Sequence, residues 1–472
     1  MNVVLGAGLS GLSAGAWLTK AGHQTTILEK NEKVGGLART IRHGDFHFDL
    51  GGHRFLTNNQ QLQTFVAELL GDDLLTVPRK SQIYINGKYI DYPLSPTNAI
   101  FRMGLAQTGA MLLDYGKEKV KNVIRPRKLT SLEDWVVSQF GRTIFNLYFK
   151  NYSEKVWGID CQNISKDWVA ERIDGLSLRQ FIQHSLVRLS TNRVKTLTDT
   201  FSYPRMGIGQ LSDRMNDLVT AKNTVKTSTN VERIFHVDGR ITGIKFTELD
   251  RAYSLEGANY ISSIPVTKLI KKMSPSPPER VRNASAKIGF RSLVIVALFI
   301  NKKKMTDLTW MYFPGKDVPF GRIHEPKNWS RDLAPSGKSH IIAEYFCNTG
   351  DPTWQSSDKA LAESTTFHLR KFGFFEKNDV LDSYVLRIPY AYPVFDLHYR
   401  DYLQIITDFL ASFDNLSLVG RSGMFSYLNM DQAMESGIFA AERVMRKSTR
   451  KETVLARDSA IPYHLLQPNY SL

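Results

Sequence analysis

The chain has 472 residues, 42% of them hydrophobic and 11% aromatic, so it is long enough for two or three domains and can bury a large core. Lysine and arginine exceed aspartate and glutamate by 61 to 46, a formal charge of +15. This composition excludes a largely disordered chain, and the charge favours a phosphorylated metabolite, a nucleic acid or an anionic surface, or simply a solvated basic exterior.

Cysteine content and the length of the apolar runs indicate which cellular compartment the protein occupies and whether it spans a membrane. Cys161 and Cys347 are too few and too far apart for a disulfide framework or a thiolate metal site, so we expect a reducing cytoplasm and no metal. The longest strongly apolar run, LVIVALFI (293–300), has the length of a buried strand and is far short of a membrane span. The amino terminus lacks a signal-peptide pattern. We therefore expect a soluble protein without a transmembrane segment.

The first motif is MNVVLGAGLSGLSAGAWLTKAGHQTTILEK, where an apolar run, a glycine turn, a helical segment and a second apolar run end at Glu29. This order predicts a dinucleotide-binding fold. Gly6 permits the tight turn, Gly8 lets a pyrophosphate approach the backbone, and Gly11 brings helix and sheet together. The helix N-terminus would face the phosphates and Glu29 a ribose. A glycine turn without a ligand is the alternative.

The next segment, EKNEKVGGLART (29–40), resembles the second glycine motif of the glutathione-reductase-like FAD proteins. It is most similar to the branch that holds amine oxidases, protoporphyrinogen oxidases and UDP-galactopyranose mutases. The resemblance implies that Gly35, Gly36 and Arg39 line the FAD diphosphate. Two glycines would admit the backbone, and one guanidinium would neutralise a phosphate.

The segment FDLGGHRF (48–55) resembles the glycine-glycine-histidine loop of the mutases, which passes beside the flavin ring. The resemblance implies that Gly51 and Gly52 contact the cofactor and that His53 lies against the flavin. An imidazole there can hydrogen-bond or exchange a proton as the redox state of the ring changes. A structural histidine in a tight turn is the alternative.

Local patterns predict the elements that follow. The stretch 74–94 predicts a hairpin around INGK, and 95 to about 189 is helical in character, with the capping-box spacing of Thr130 and Glu133 opening one helix. The stretch 229–246 predicts a hairpin that turns at Asp238-Gly239, and strand patterns continue to about residue 400.

The carboxyl-terminal motif, NLSLVGRSGMFSYLNMDQAMESGIFAAERVM (415–445), predicts a strand, a glycine turn and a helix. It resembles the terminal FAD motif, whose helix N-terminus points at the cofactor. The resemblance implies cofactor contacts for Gly420, Arg421 and Gln432. It also implies that the strand near Val231 meets the adenine.

These patterns predict an α/β fold: a glutathione-reductase-like FAD-binding Rossmann domain with an inserted helical bundle and an antiparallel β-sheet substrate domain. The predicted boundaries are 1–75, 196–265 and 412–446 for the FAD-binding domain, 76–100 and 266–411 for the substrate-domain sheet, 101–195 for the helical insert, and 447–472 for a basic carboxyl-terminal tail.

Further motifs along the chain resemble UDP-galactopyranose mutases, especially the eukaryotic-type ones. They are EKVWGI, WVAERI, WMYFPGKDVPFGRI, YAYPVF and MFSYLNMDQ. The resemblance implies a catalytic set and a substrate-binding set. The catalytic set is His53, Arg172 and Arg322, and the substrate-binding set is Tyr92, Trp157, Tyr312, Tyr392 and Tyr427. Two arginines among phenol hydroxyls suit a diphosphate, although each residue alone could be an ordinary core-edge aromatic or ion-pair partner.

The resemblance implies an FAD-dependent nucleotide-sugar mutase that interconverts pyranose and furanose rings through a flavin N5–sugar adduct. The substrate would be a nucleotide-diphosphate sugar or another anionic small molecule. An external reductant would supply electrons to the flavin. Leu94 and Ser95 stand where the mutases have an aromatic residue and an amide, and Ser426 replaces an arginine. These departures weaken the case for uracil and leave the nucleotide and sugar open.

Two other classes explain part of the pattern. An oxidoreductase resembling amine or protoporphyrinogen oxidases explains the fold equally well, and a nucleotide sugar could be the molecule oxidised. A protein that binds nucleic acid or a membrane surface would use the basic charge, but the sequence shows no RNA-binding signature and no long amphipathic anchor. We expect no nucleic-acid partner, and the oligomeric state stays open.

Overall fold

The computed structural model describes residues 1–85, 87–92, 105–124, 128–168 and 200–449. A five-stranded parallel sheet draws its strands from both halves of the chain. Strands Asn2–Leu5 and Thr25–Leu28 are buried at all four of their residues, because helices cover one face of the sheet and the other face packs on an apolar cluster that includes the four-stranded sheet. The order of the five-stranded sheet is Leu416–Leu418, Asn259–Ser262, Asn2–Leu5, Thr25–Leu28 and Thr224–Lys226.

Helices Leu9–Lys20, Gly209–Thr220 and Met430–Thr449 pack together beside this sheet. The closest approach is at Gly437, where an added Cβ would lie 2.0 Å from the Ser10 carbonyl oxygen. Glycine at this crossing lets the last helix lie against the start of the first one. The carboxyl-terminal motif is thereby brought to the amino-terminal glycine turn.

A four-stranded sheet contains the predicted hairpin, Thr229–Val237 with Arg240–Glu248. Its turn residues Asp238 and Gly239 have φ of 46° and 72°, both in the left-handed region that such two-residue turns require. Strands Arg251–Leu255 and Met273–Ser274 complete it.

A seven-stranded, mostly antiparallel sheet is built around Phe290–Ile300. This strand pairs on both sides, and its residues alternate between two apolar clusters, one with Val294 and Val296 and the other with Ile295 and Ala297. Burial of both faces explains its continuous apolar run. The sheet order is Val380–Pro393, Phe290–Ile300, Ser339–Cys347, Arg322–His324, Trp310–Tyr312, Ser81–Ile85 and Lys88–Tyr92.

Two short ribbons join these sheets: Thr40–His43 with Phe46–Asp49, and Leu74–Pro78 with Thr200–Pro204. The remaining helices outside the helical region are Gln60–Leu70, Val266–Lys272, Glu279–Lys287, Pro352–Gln355, Asp358–Lys371, Tyr399–Ala411 and Gly420–Gly423.

The helical region contains Leu105–Ile124, Leu132–Phe140, Arg142–Ile144 and Asn151–Trp157, with wider helical turns over Phe145–Lys150. The expected cap at Thr130 is wrong by one residue. Ser131 caps the helix, its side chain accepting from the Asp134 backbone, and Asp134 replaces Glu133 as the reciprocal partner. Asp134 also accepts from the Thr130 amide and hydroxyl. The sequence therefore offers two neighbouring residues, Thr130 and Ser131, as the helix cap.

The parallel sheet, the helical region and the antiparallel sheet confirm the predicted α/β fold class. The domain boundaries stay a prediction, and most of the carboxyl-terminal tail lies outside the described residues. Among the helices of the described ranges, none is long and apolar enough to cross a membrane.

Candidate functional site

The amino-terminal glycine turn is tightly packed at the end of the first strand. Gly6 has φ of 93°, and a Cβ on Gly11 would lie 1.9 Å from the Gly6 carbonyl oxygen. The buried Glu29 carboxylate accepts from the Ala7 amide at 2.8 Å and from the Asn31 amide at 2.9 Å. Glu29 therefore fixes the turn itself, and its contact with a ribose stays a prediction.

The second glycine motif meets the first. The Gly35 amide donates to the Ala7 carbonyl at 2.7 Å, and Gly35 and Gly36 have φ of 103° and 58°. A Cβ on Gly36 would lie 3.0 Å from the Gly8 Cα. The predicted cofactor glycines of both motifs thus lie side by side, with bare backbone where a ligand needs close approach.

Arg39 follows these glycines, and its side-chain Nε is buried. Its Nε finds no hydrogen-bond partner within the described part of the chain. Burial lowers the pKa of this arginine, and Glu29 opposes that shift. A buried donor of this kind is costly to leave unsatisfied, so the site suits an anion such as a phosphate.

The loop at Gly51–Gly52 needs both glycines. Gly51 has φ of 111°, and a Cβ on Gly52 would lie 2.3 Å from Trp310 Nε1. The Gly52 amide donates to Glu344 Oε1 at 3.1 Å. The loop is therefore held between a tryptophan and a buried carboxylate, both more than 250 residues away in sequence.

His53 turns back onto its own loop. Its Nδ1 lies 3.2 Å from the Gly51 carbonyl oxygen. Because a carbonyl oxygen only accepts, Nδ1 carries the hydrogen and Nε2 is left as an acceptor. Burial, with the nearby cations Arg421 and Arg322, lowers the pKa of His53 to about 4. The imidazole is neutral at physiological pH.

Arg322 and Glu344 form the central ion pair. Arg322 Nε donates to Glu344 Oε1 at 2.9 Å, and Nη2 donates to Oε2. The Glu344 side chain is fully buried, whereas that of Arg322 retains 17% exposure. Burial acts to raise the pKa of Glu344, but Arg322 and His324 outweigh it and lower the pKa to about 2. The carboxylate stays charged and fixes the guanidinium in a two-bond geometry.

Tyr392 and Tyr427 stack on one side of this pair. Their rings lie 5.7 Å apart with an interplanar angle of 7°, and Trp157 packs edge-on against them at 6.3 and 6.0 Å. The Arg421 guanidinium lies 5.3 and 4.9 Å from the two ring centroids. Burial and the neighbouring Tyr427 raise the pKa of Tyr392 to about 12, so its hydroxyl remains a donor.

Tyr312 lies in a second aromatic group. Its ring contacts Tyr92 at 5.5 Å and Tyr152 at 5.8 Å. Burial raises the pKa of Tyr152 well above its ordinary value, although Arg322 acts in the opposite direction. Arg322 is thus within electrostatic range of Tyr152, Tyr392 and His53. The arginine connects both aromatic groups with the histidine loop.

Two buried cations position Trp157 and its helix. Arg291 Nε donates to the Val156 carbonyl at 2.9 Å, at the end of Asn151–Trp157. Lys155 Nζ donates to the carbonyls of Phe313, Gly315 and Val318 at 2.7, 2.5 and 2.8 Å. Because the 313–321 loop joins Tyr312 to Arg322, Lys155 ties the two halves of the candidate site together.

The remaining predicted cofactor residues are held by protein contacts. The Gly420 amide donates to Ser436 Oγ at 2.9 Å, and Arg421 donates to the Leu428 carbonyl at 2.9 and 2.7 Å. Gln432 accepts from the Asn429 amide at 2.9 Å. The Val231 side chain is buried in an apolar cluster beside the first two parallel strands. Their contacts with FAD stay predictions.

Arg172, Leu94 and Ser95 lie outside the described residues. Ser426, which replaces the expected arginine, is buried next to Tyr427. Sequence reasoning missed Glu344, Tyr152, Lys155 and Arg291. A signal existed for Glu344, because it is the one acid in the mostly apolar strand SHIIAEYFC.

The residues present fit a dinucleotide such as FAD. Gly8 and Gly36 bring the backbones of the two motifs together without side chains, and Arg39 Nε is an unsatisfied buried donor among the described residues. The helix Leu9–Lys20 begins at this point, and none of the described side chains caps its N-terminus. These features would let a diphosphate approach the backbone closely in a region of positive potential.

Known proteins share this architecture. A family model described as flavin containing amine oxidoreductase matches residues 9–445. The L-amino-acid oxidase of Sistrurus catenatus edwardsii is 24% identical over 328 residues, 65% of this chain and 58% of that protein, so the match spans less than two thirds of that relative.

Two solved structures show the same fold. A reduced UDP-galactopyranose mutase superposes with a TM-score of 0.81 at 20% identity, covering 95% of this chain and 94% of that one. A putrescine oxidase bound to putrescine superposes with a TM-score of 0.64 at 15% identity, covering 94% and 98%. Fold alone does not fix the reaction, which depends on the residues of the site.

Proposed function

The chain belongs to the family of flavin-containing amine oxidoreductases, and from this premise we propose that it is an FAD enzyme that isomerises a nucleotide-diphosphate sugar. Its cofactor is FAD. The observation that supports the proposed reaction is the cluster of phenols around the Arg322–Glu344 pair, in which the Arg322 side chain keeps 17% exposure. This donor set suits a diphosphate better than an uncharged amine.

The two glycine motifs bind the cofactor in this proposal. Gly8, Gly35 and Gly36 admit the diphosphate to the backbone, and Arg39 Nε donates to it. When bound, FAD supplies a redox-active ring that takes two electrons from a substrate or, in reduced form, supplies an electron pair. Isomerisation by reduced FAD requires an external reductant, which is part of the proposal.

Arg322 and the phenol hydroxyls of Tyr152 and Tyr392 bind the substrate in this proposal. Glu344 occupies Nε and Nη2 of Arg322, so the guanidinium presents its Nη1 side to a phosphate. The phenols of Tyr152 and Tyr392 have raised pKa values and therefore donate hydrogen bonds as neutral groups. Arg322, held in place by Glu344, would stabilise a departing diphosphate together with these neutral hydroxyl donors.

His53 holds a hydrogen at Nδ1 toward the Gly51 carbonyl and offers Nε2 as an acceptor. A neutral imidazole can orient a hydroxyl or ring N–H without placing a third cation beside Arg322 and Arg421. The stacked pair Tyr392 and Tyr427, backed by Trp157, excludes water from this side.

A second candidate is oxidation of an amine, an amino acid or a nucleotide sugar. The family itself and the L-amino-acid oxidase relatives favour it. In this case FAD would accept two electrons from the substrate, and oxygen or another acceptor would restore it. The same Arg322 would then bind a carboxylate or phosphate of the molecule oxidised.

An anaerobic product assay distinguishes the two candidates. The holoprotein is reduced with dithionite and incubated with UDP- and TDP-sugars, and products are separated with mass detection. An isomer of unchanged mass that requires reduced flavin, and is lost in Arg322→Ala but not in the surface control Arg370→Ala, supports the mutase. Bleaching of oxidised flavin by a sugar or an L-amino acid, with loss of two hydrogens from it, supports oxidation instead.

A further inference from the structure

The helix Leu105–Ile124 carries large apolar side chains that face solvent. The exposed side chains and their exposed fractions are Leu112 at 54%, Leu113 at 71%, Val120 at 58%, Val123 at 82% and Ile124 at 72%. Single exposed apolar residues are ordinary, but five on one helix form a contiguous patch of the kind that marks an interaction site.

The acids of this helix face the protein. The Thr143 amide donates to Asp114 Oδ2 at 2.6 Å, and Glu118 is only 7% exposed. The helix packs through this side on Leu132–Phe140 and Arg142–Ile144. Glu118 also accepts from Lys121 Nζ at 2.6 Å, so its charge is compensated by a lysine at the edge of the outer face.

The lysines border the apolar patch. At about 100° per residue the exposed apolar side chains cover about 120° of the helix circumference, with Lys119 next to one edge and Lys117 and Lys121 next to the other. Lys117 and Lys121 are exposed, as is Lys128 beyond the helix. The outer face of the helix is thus apolar at its centre and basic along both edges.

We propose that this face, called the apolar-basic face from here on, docks on an anionic lipid bilayer surface. Its apolar side chains would enter the boundary between headgroups and acyl chains, while its lysines lie near lipid phosphates. The formal charge of +15 draws the whole molecule toward such a surface. The acids Asp114 and Glu118 interrupt the apolar pattern in the sequence, which is why the sequence alone did not reveal it.

Charge argues against the other occupants. In a symmetric dimer the same patch meets itself, so the lysines of the two copies would face each other. A nucleic acid would satisfy the lysines but would leave Val123 and Ile124 exposed. An anionic bilayer is the partner that satisfies both the apolar centre and the basic edges.

Sedimentation of the full-length holoprotein with vesicles tests the proposal. We expect binding to phosphatidylcholine vesicles that contain phosphatidylglycerol, weaker binding at high salt, and little binding to phosphatidylcholine alone. Leu113→Glu with Val123→Glu, and separately Lys117→Glu with Lys119→Glu, which leaves the Lys121–Glu118 pair intact, should each lower the bound fraction at least about tenfold. Phe367→Glu with Lys371→Glu, on another exposed helix, is the matched control and should bind as the parent does.

A fluorescent probe reports contact at the face itself. Cys161 and Cys347 are buried, so an environment-sensitive dye should label an introduced Val123→Cys selectively. Anionic vesicles should shift its emission to the blue and leave Phe367→Cys unchanged. Absence of vesicle binding overturns the proposal, as does binding that the helix substitutions do not weaken. A shift that appears only with rising protein concentration, without lipid, assigns the face to a second copy.

Discussion

At the scale of single residues, Glu344 is the buried group on which the geometry of the site depends. It fixes Arg322 through two hydrogen bonds and accepts from the Gly52 amide at 3.1 Å. Glu344→Gln keeps the shape but turns an amide donor toward Arg322 and leaves a mostly buried cation uncompensated. We expect a loss of about 3 kcal/mol in unfolding free energy and weaker substrate binding.

Chemical denaturation and ligand titration measure these effects. The matched control is Glu376→Gln, whose carboxylate pairs with Arg370 at 3.4 Å but is 80% exposed. This surface pair should contribute at most about 1 kcal/mol. Equal, small effects of both substitutions would show that the buried pair does not hold the site.

His53 should behave as a neutral group across physiological pH. Burial lowers its pKa to about 4, so the charged form is disfavoured in the folded protein. The unfolded chain takes up the proton near pH 6.5 and the folded one does not, so this residue makes the protein less stable as the pH falls from about 7 to 4.

Histidine-selective NMR checks this assignment. The signal that disappears in His53→Gln should belong to an imidazole with its hydrogen on Nδ1 and should not move between about pH 5.5 and 8. The urea-unfolded protein provides the ordinary titration for comparison. A midpoint near 6.5 in the folded protein would mean that the imidazole is solvated and available as a proton donor.

At the scale of elements, Lys155 couples the helix Asn151–Trp157 to the 313–321 loop. Lys155→Met would leave four carbonyls without this donor, because Nζ also lies 3.3 Å from the Phe320 carbonyl, and would release the loop that joins Tyr312 to Arg322. We expect a loss of about 2–4 kcal/mol in stability and a marked rise in substrate Kd, with FAD binding retained. Lys150→Met, at an exposed position just before the helix, is the matched control.

This prediction has a pH signature. Burial lowers the pKa of Lys155 to about 8, so the ammonium loses a hydrogen just above physiological pH. A neutral amine donates two hydrogen bonds instead of three. Substrate affinity should therefore weaken above pH 8 in the parent protein but not in Lys155→Met. If substrate affinity weakens above pH 8 equally in both proteins, another titrating group causes that pH dependence.

The elements also show what a sequence can reveal. The glycine turns, the hairpin at Asp238-Gly239 and the buried strand Phe290–Ile300 follow from local rules of backbone conformation and burial, so they were predictable. Glu344 meets Gly52 across 292 positions, and Lys155 meets Phe313 across 158. Such partners are set by tertiary packing, which no local pattern encodes, and they are the contacts that position the candidate site.

At the scale of the whole molecule, Asp49 connects its own ribbon, which includes Thr40, with the distant stretch that holds Tyr203 and Ile208. Its carboxylate accepts from the Thr40 hydroxyl at 2.7 Å, the Tyr203 hydroxyl at 2.6 Å and the Ile208 amide at 3.1 Å. The residue ends the ribbon strand Phe46–Asp49, directly before the histidine loop. Movement of this carboxyl group would therefore affect both the parallel sheet region and the candidate site.

Asp49 should make stability fall as the pH rises toward neutrality. Burial raises its pKa to about 7 against the opposing hydrogen bonds, so between about pH 4 and 7 the folded protein keeps a proton that the unfolded chain releases. Its stabilising effect is fully present below pH 4 and is lost above pH 7. Asp49→Asn, which keeps the shape without charge, should raise the unfolding free energy at pH 8 by on the order of 2–4 kcal/mol and change it little at pH 4. Thermal unfolding at both pH values measures the difference. A substitution that destabilises the protein equally at both would mean that the carboxylate is charged in the folded state and that its three donors compensate fully for burial.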